Sequence, residues 1–315
     1  MQTLDRLNRT FAIDGHAVFE EREPGMLRLQ LSSPESTATV YLQGAHVTQW
    51  TPRGADPVLY LSPAAVFAPG KAIRGGVPVL FPWFGPRWNG AAFDAAHGTR
   101  SPAHGFARTS VWTVDSVRCE ADGDVVACLS LAPDEVSRGL GFDDFALVLE
   151  CRVGHELQVA LHVTNRGAAP LEYEEGLHAY FAVADVHPAR LDGLGGSTYL
   201  DKRDGSTRKV LHDGPFAFTR DVDHTHLHTD AALKLHDPSG HRVVDIVKTG
   251  SLSTVIWNPW TVLTPGFADL PADGWQHFVC IETVNADENR LRLEPGATHT
   301  LAMTVRVKTV RVKTA

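Results

Sequence analysis

Two arginines, two histidines and one glutamate stand where they could do chemistry. Arg74 precedes Gly75-Gly76, and Arg108 closes the run His104-Gly105-Phe106-Ala107-Arg108. Guanidiniums beside glycines, where the backbone can approach a ligand closely, suit a bound phosphate or carboxylate. They suit pairing with acids on a folded surface equally well, and the stretch alone leaves both readings open. His178 begins an apolar segment in Glu174-Glu175-Gly176-Leu177-His178-Ala179-Tyr180-Phe181, and Glu282 ends one in Val279-Cys280-Ile281-Glu282. A lone histidine in such a place is more often a satisfied core residue than a catalyst. A carboxylate among apolar neighbours is either paired, for example with an arginine, or has its pKa raised by desolvation. Taken together, an imidazole and a semi-buried carboxylate form an acid-base pair able to move protons on and off oxygen near neutral pH. Nearby arginines would anchor an anionic tail, and Trp83 or Trp257 would offer a flat face to a sugar ring. The residues thus point to a proton-transfer site for a small polar anion.

Other chemistries have weaker signals. His224, His226 and His228 alternate, so a strand would carry all three on one face. With no carboxylate at ligand spacing and no HExxH helix, a partly exposed polar strand face is favoured over a metal site. No nucleophile elbow, phosphate loop or dinucleotide fingerprint occurs. The net charge of -8 gives no bulk attraction to nucleic acid or to a membrane surface. An anionic ligand must therefore be held by a local basic cluster, for which Lys71, Arg74, Arg87 and Arg108 are the candidates. Cys119, Cys128, Cys151 and Cys280 show no metal or redox spacing and are expected to be reduced and inert. With no signal peptide and no membrane-spanning run, the expected compartment is the cytoplasm.

The elements that must position these residues are strands. Period-two alternation recurs along the chain, and no 3.6-residue apolar period is sustained. Strands are expected at 26–31, 37–42, 45–51, 57–61, 111–119, 125–131, 145–153, 157–164, 232–236, 242–247, 253–257, 278–283, 291–293 and 300–307. Asp122-Gly123 marks a hairpin. Regular strands separated by Gly, Pro and Asp turns predict a large antiparallel β-sandwich. No linker divides the chain, so one domain is expected over 1–309, with 310–315 a C-terminal tail. Residues 71–112 are the exception to strand patterning. Pro78, Pro82, Pro86 and Pro102 exclude a helix or a central strand, and Phe81, Trp83, Phe84 and Trp88 make the stretch too apolar for a solvated linker. It reads as a binding loop.

Several segments resemble a known family. GAHVTQW, AIRGGVPVLFPWFGP, PAHGFAR, LHAYF, WNPW, ADLPADGW and VCIET occur in the order found in hexose-6-phosphate mutarotases, also called glucose-6-phosphate 1-epimerases, of the galactose-mutarotase-like (aldose 1-epimerase) superfamily. The match runs over 44–285. The resemblance implies an all-β antiparallel supersandwich with an open cleft, and an isomerase that interconverts the anomers of a hexose 6-phosphate, glucose 6-phosphate above all. It implies His178 as general acid and Glu282 as general base, flanking the pyranose from opposite sides. It implies His104 as a sugar-orienting group, Arg74 and Arg108 as phosphate ligands, and Asp223 as a contact to sugar hydroxyls. Where the family motif reads Asp-Arg-Val-Tyr, this chain has Asp223-His224-Thr225-His226, and Ala103 stands where some relatives carry glutamine. The implied protein is a monomer acting on a small sugar phosphate with no metal or organic cofactor. The alternatives are an epimerase of unphosphorylated aldoses, a non-catalytic carbohydrate-binding sandwich and a metal-dependent isomerase using some of the histidines.

Overall fold

The computed structural model describes residues 2–89, 92–93 and 102–309. The expected tail at 310–315 and part of the proline-rich loop lie outside the described residues. Every pairing between strands of the large sheets is antiparallel. A nine-stranded sheet runs in the order Phe216–Ala217, Arg190–Asp192, Leu233–Asp237, Arg242–Thr249, Thr298–Thr309, Leu157–Asn165, Phe145–Val153, Val125–Leu131, Thr113–Cys119. Facing it is an eight-stranded sheet. It runs Thr207–Val210, Thr198–Asp201, Val222–His226, Ser253–Asn258, Phe278–Asn285, Glu175–Leu177, Val79–Leu80, and Tyr180–Ala182 adds to Phe278–Asn285. A four-stranded sheet formed by Ala17–Glu23, Met26–Ser32, Ser36–Tyr41 and His46–Pro52 precedes both.

Burial explains the two kinds of strand. Phe145–Val153 and Leu157–Asn165 alternate buried and more exposed residues from end to end, as expected of a sheet with one solvated face. Leu147, Leu149, Leu157, Val159 and Leu161 join one hydrophobic core with Val279, Ile281 and Leu301, which locks the two large sheets face to face. Phe278–Asn285 differs, because all eight of its residues are buried. Its inner residues meet the core. Its outer residues, Phe278, Cys280, Glu282 and Val284, are covered by loops and by aromatic side chains.

Most expected strands form within a residue or two. Residues 57–61 do not, making only single bridges (Leu59 to Phe181, Leu61 to Gly75), because this connection touches two different partners instead of running along one. A helix at Leu4–Phe11, capped by the Thr3 hydroxyl, was not expected; at eight residues it is too short to show a period. His224 and His226 lie on Val222–His226 but are buried against the core, contrary to the expected partly exposed polar face. Both stack on Tyr199 (ring centroids at 4.3 and 5.1 Å), and His228 falls beyond the strand end and is exposed. Among the described residues no group of three or more His, Cys, Asp or Glu is arranged to hold a metal ion.

The proline-rich loop is held by its glycines against backbone at Tyr60, at Val47 of the strand His46–Pro52, and within the loop itself at Phe81. Gly75 (φ 116°) and Gly76 (φ 63°) lie so near neighbouring backbone that a Cβ would come within 2.4 Å of the Tyr60 and Val47 carbonyl oxygens. At Gly105 (φ 73°) the corresponding gap to the Phe81 carbonyl oxygen is 1.9 Å. These glycines therefore admit protein backbone, not a ligand, which corrects the reading of their place beside the arginines. Gly105→Ala should lower the unfolding free energy by at least about 2 kcal/mol, through a positive φ and a clash that no rotamer relieves. Urea denaturation measures this, and an unchanged midpoint would refute the close-approach role.

Candidate active site

Pairing register builds the floor of the cleft. Phe278–Asn285 pairs with Glu175–Leu177 on one side of His178-Ala179 and with Tyr180–Ala182 on the other. The register is unbroken across the gap (Leu177 opposite Thr283, Tyr180 opposite Cys280), so His178 falls opposite Glu282. Continuing across Ser253–Asn258 and Val222–His226, one cross-strand row reads Tyr180, Cys280, Trp257, Asp223. The next row reads His178, Glu282, Val255, Thr225. Strand alternation puts both rows on the outer face. Over them lies a cleft of about 470 Å³, whose lining includes Arg74, Phe84, Ala103, His104, Lys202, Phe267 and Asp287.

His178 and Glu282 are in direct contact. His178 Nε2 lies 3.3 Å from Glu282 Oε1, and the two side chains are 9% and 1% exposed. They therefore sit side by side on one floor, not on opposite sides of a ligand as the resemblance had implied. No arginine pairs with Glu282 among the described residues, and its Oε2 has no hydrogen-bond partner there. Burial, then the charge of Asp223, pushes the Glu282 carboxyl well above the usual range. Burial, then the cations Arg108 and Arg74, lowers His178 to about 3. Both shifts favour the neutral forms, an imidazole beside a carboxylic acid. The pair thus holds one proton, with the carboxyl favoured as its carrier.

His104 reaches the cleft from the loop. The Gly85 backbone N–H donates to His104 Nδ1 (3.1 Å), and the His104 backbone N–H donates back to the Gly85 carbonyl (2.7 Å). Nδ1 is therefore an acceptor, which puts the ring proton on Nε2 and makes that atom a donor. Burial and the Arg108 charge hold its pKa well below the usual imidazole value, so the tautomer stays neutral. Its ring meets His178 edge to face at 5.6 Å.

The cations divide. Arg74 lines the cleft, donating from Nε to Asp269 (3.2 Å) and from Nη1 to the Tyr180 hydroxyl (3.1 Å), with its guanidinium over the Phe267 ring at 4.7 Å. Two of its five N–H donors are thus engaged among the described residues. Arg108 is not a lining residue. Its Nη2 donates to the Ala103 carbonyl (2.8 Å), and its buried Nε has no partner among the described residues. It acts on His104 and His178 through its field. Lys202 is a cation that sequence reasoning missed; it pairs with Asp287 at 2.8 Å.

Asp223 lines the cleft, and burial pushes its carboxyl up to about 6 against the pull of Lys202 and Arg203. Its cationic support therefore comes from the turn after Thr198–Asp201, not from the next residue in sequence. Ala103 also faces the cleft, so that departure from some relatives falls at the site itself. Trp257 lines the floor as expected. Trp83 does not: it is buried in the core, donates from Nε1 to the Pro102 carbonyl (3.0 Å) and packs on Phe106 and Phe142. Phe84, next in sequence, takes the lining place. Tyr180 was missed although it lies two residues after His178, a spacing that puts both on one face of a strand.

Residues 28–306 match the family described as aldose 1-epimerase. The chain belongs to the aldose 1-epimerase family. A Salmonella typhimurium protein described as "Putative glucose-6-phosphate 1-epimerase" is 34% identical, the alignment covering 89% of this chain and 92% of that protein. An Escherichia coli protein of the same description is also 34% identical, over 92% of this chain and 96% of its own length. Among solved structures, the "putative mutarotase (YeaD)" of Salmonella typhimurium superposes with a TM-score of 0.85 at 30% identity, covering 95% of this chain and 96% of that one. This aldose 1-epimerase family member is accordingly an epimerase with the mutarotase-like sandwich. No helix among its described residues is long and apolar enough to cross a membrane.

Asp223 gives the site a pH signature. A carboxyl whose folded pKa lies above its unfolded value stabilises the fold fully only below the unfolded value, here 3.8. That contribution is lost as pH rises through about 6. Asp223→Asn, which cannot ionise, should therefore gain thermal stability relative to wild type between about pH 4 and pH 6, with the gain levelling off above. Melting temperatures of the two proteins across that range decide it; a pH-independent difference would count against a buried, ionising Asp223.

Proposed function

We propose that the protein interconverts the α and β anomers of a hexose 6-phosphate, glucose 6-phosphate first, by ring opening and reclosure. The observation that carries this reading is the His178–Glu282 contact at 3.3 Å on the floor of a cleft whose wall bears Arg74. Ring opening must move two protons at oxygens that are both bonded to C1, the anomeric hydroxyl and the ring oxygen. Adjacent acid and base groups can serve both without the sugar being flanked. Glu282 takes the hydroxyl proton, the C1–O1 bond becomes a carbonyl, and the C1–O5 pair returns to the ring oxygen, which takes a proton from His178. Rotation about C1–C2 and reclosure with the roles exchanged gives the other anomer. This direction needs the shared proton on His178. A bound phosphate dianion would supply that shift by offsetting the Arg74 and Arg108 charges that disfavour the imidazolium.

The relatives' description and the Arg74 donors without a partner among the described residues support a phosphorylated substrate, with Arg108 adding its field. His104 Nε2–H and Asp223 suit the sugar hydroxyls, and Trp257 suits the ring face. Four free cysteines, one of them exposed, suit a reducing compartment such as the cytoplasm.

Exchange NMR on phosphorylated and free hexoses measures the activity directly. Glu282→Gln and His178→Ala should each lower kcat by about 10²–10⁴-fold with the fold intact; wild-type turnover in either would remove that residue from the mechanism. Arg74→Ala should raise KM for glucose 6-phosphate by about one to two orders of magnitude and leave free glucose nearly unaffected. Equal losses on both sugars would make Arg74 structural.

A further inference from the structure

Tyr180 takes no part in the proton transfers just described, yet it touches both ends of the site. It is 3% exposed and lies on the cleft face in line with Cys280, Trp257 and Asp223. Its ring stacks on His178 with centroids 4.9 Å apart and planes within 11°. On the remaining sides it packs against Trp257 (6.3 Å, edge to face) and Phe278 (5.3 Å), so it has little room to turn. Its hydroxyl accepts the Arg74 Nη1 hydrogen bond at 3.1 Å. A parallel ring against one face of an imidazole fixes the plane in which Nε2 can meet its partner. A hydroxyl at one edge of a guanidinium fixes which of the remaining N–H groups face a ligand.

We propose that Tyr180 is a positioning residue that couples the two halves of the site, its ring holding His178 in the plane that meets Glu282 and its hydroxyl aiming Arg74 at the anionic group of the substrate. The second half rests on the hexose-phosphate reading. The two effects are separable because they belong to different atoms of one side chain. Burial raises the phenol further above its ordinary value, so it stays protonated and does not compete as a base. Asp269 and Phe267 also hold Arg74, so loss of the hydroxyl loosens the guanidinium without releasing it.

The test is a split between kcat and KM in two variants. Tyr180→Phe keeps the ring and removes the hydroxyl. KM for glucose 6-phosphate should rise about 3- to 10-fold, with kcat within about twofold of wild type and free glucose unaffected. Tyr180→Leu removes the stack, and kcat should fall about 10- to 100-fold on every sugar the enzyme turns over. Melting temperature and circular dichroism establish that each variant is folded; if Tyr180→Leu is not, the split in Tyr180→Phe still decides. Wild-type kinetics in both variants would overturn the proposal. So would a Tyr180→Phe variant that loses kcat with KM unchanged, since the hydroxyl would then belong to proton transfer. If wild-type enzyme fails to distinguish glucose 6-phosphate from glucose, the phosphate reading falls, while the kcat of Tyr180→Leu still tests the ring.

Discussion

The site depends on one pairing register. Because the strand Phe278–Asn285 holds the same alignment on both sides of His178-Ala179, an imidazole and a carboxyl from positions far apart in sequence stand directly opposite one another. A slip of one residue would turn Glu282 into the core and leave Ile281 in the cleft. The core itself prevents that slip, since Val279 and Ile281 are packed between the sheets on the other face of the same strand. Hydrophobic burial on one side thus fixes the geometry of the candidate site on the other.

A second constraint is the close docking of the proline-rich loop. Its glycines let the chain approach Tyr60, Val47 and Phe81 more nearly than any side chain would permit. That docking carries Arg74, Phe84 and His104 over the two floor rows. Glu174 reinforces the same geometry, accepting from the Phe84 and Asp287 backbone N–H groups and from Arg290. One carboxylate therefore ties the loop to the turn at Asp287–Asn289 across the rim of the cleft.

Covering the floor in this way has an electrostatic consequence. Because these groups are buried, each moves toward its neutral form: Glu282 and Asp223 up, His178 and His104 down. One proton separates a neutral pair, imidazole beside carboxylic acid, from an ion pair of the same net charge, which suits a reversible reaction in which acid and base exchange roles. Burial is the first influence on which of the two groups carries that proton, and Arg108, Arg74 and Asp223 add to it.

The sequence by itself determined the class of fold and the chemical types at the site. Alternation shows in residues 145–153 and 157–164 because one face must be apolar and the other wet. Glu282 is conspicuous because a carboxylate inside an apolar run needs a reason. The short motifs around Arg74, His104, His178 and Glu282 carried the family. Tertiary structure alone decided which of these residues meet. Trp83 and Phe84 are adjacent aromatics, and nothing in their order says that the first packs in the core while the second lines the cleft. Lys202 and Asp287 lie in separate turns that only the sheet brings together. Arg108, three residues after Gly105 where Arg74 directly precedes Gly75, acts on His104 and His178 by its charge and does not line the cleft as Arg74 does. Local patterns encode which face of a strand a residue occupies, because that depends on its neighbours one and two places away. The partner across the sheet depends on register and packing summed over the whole core.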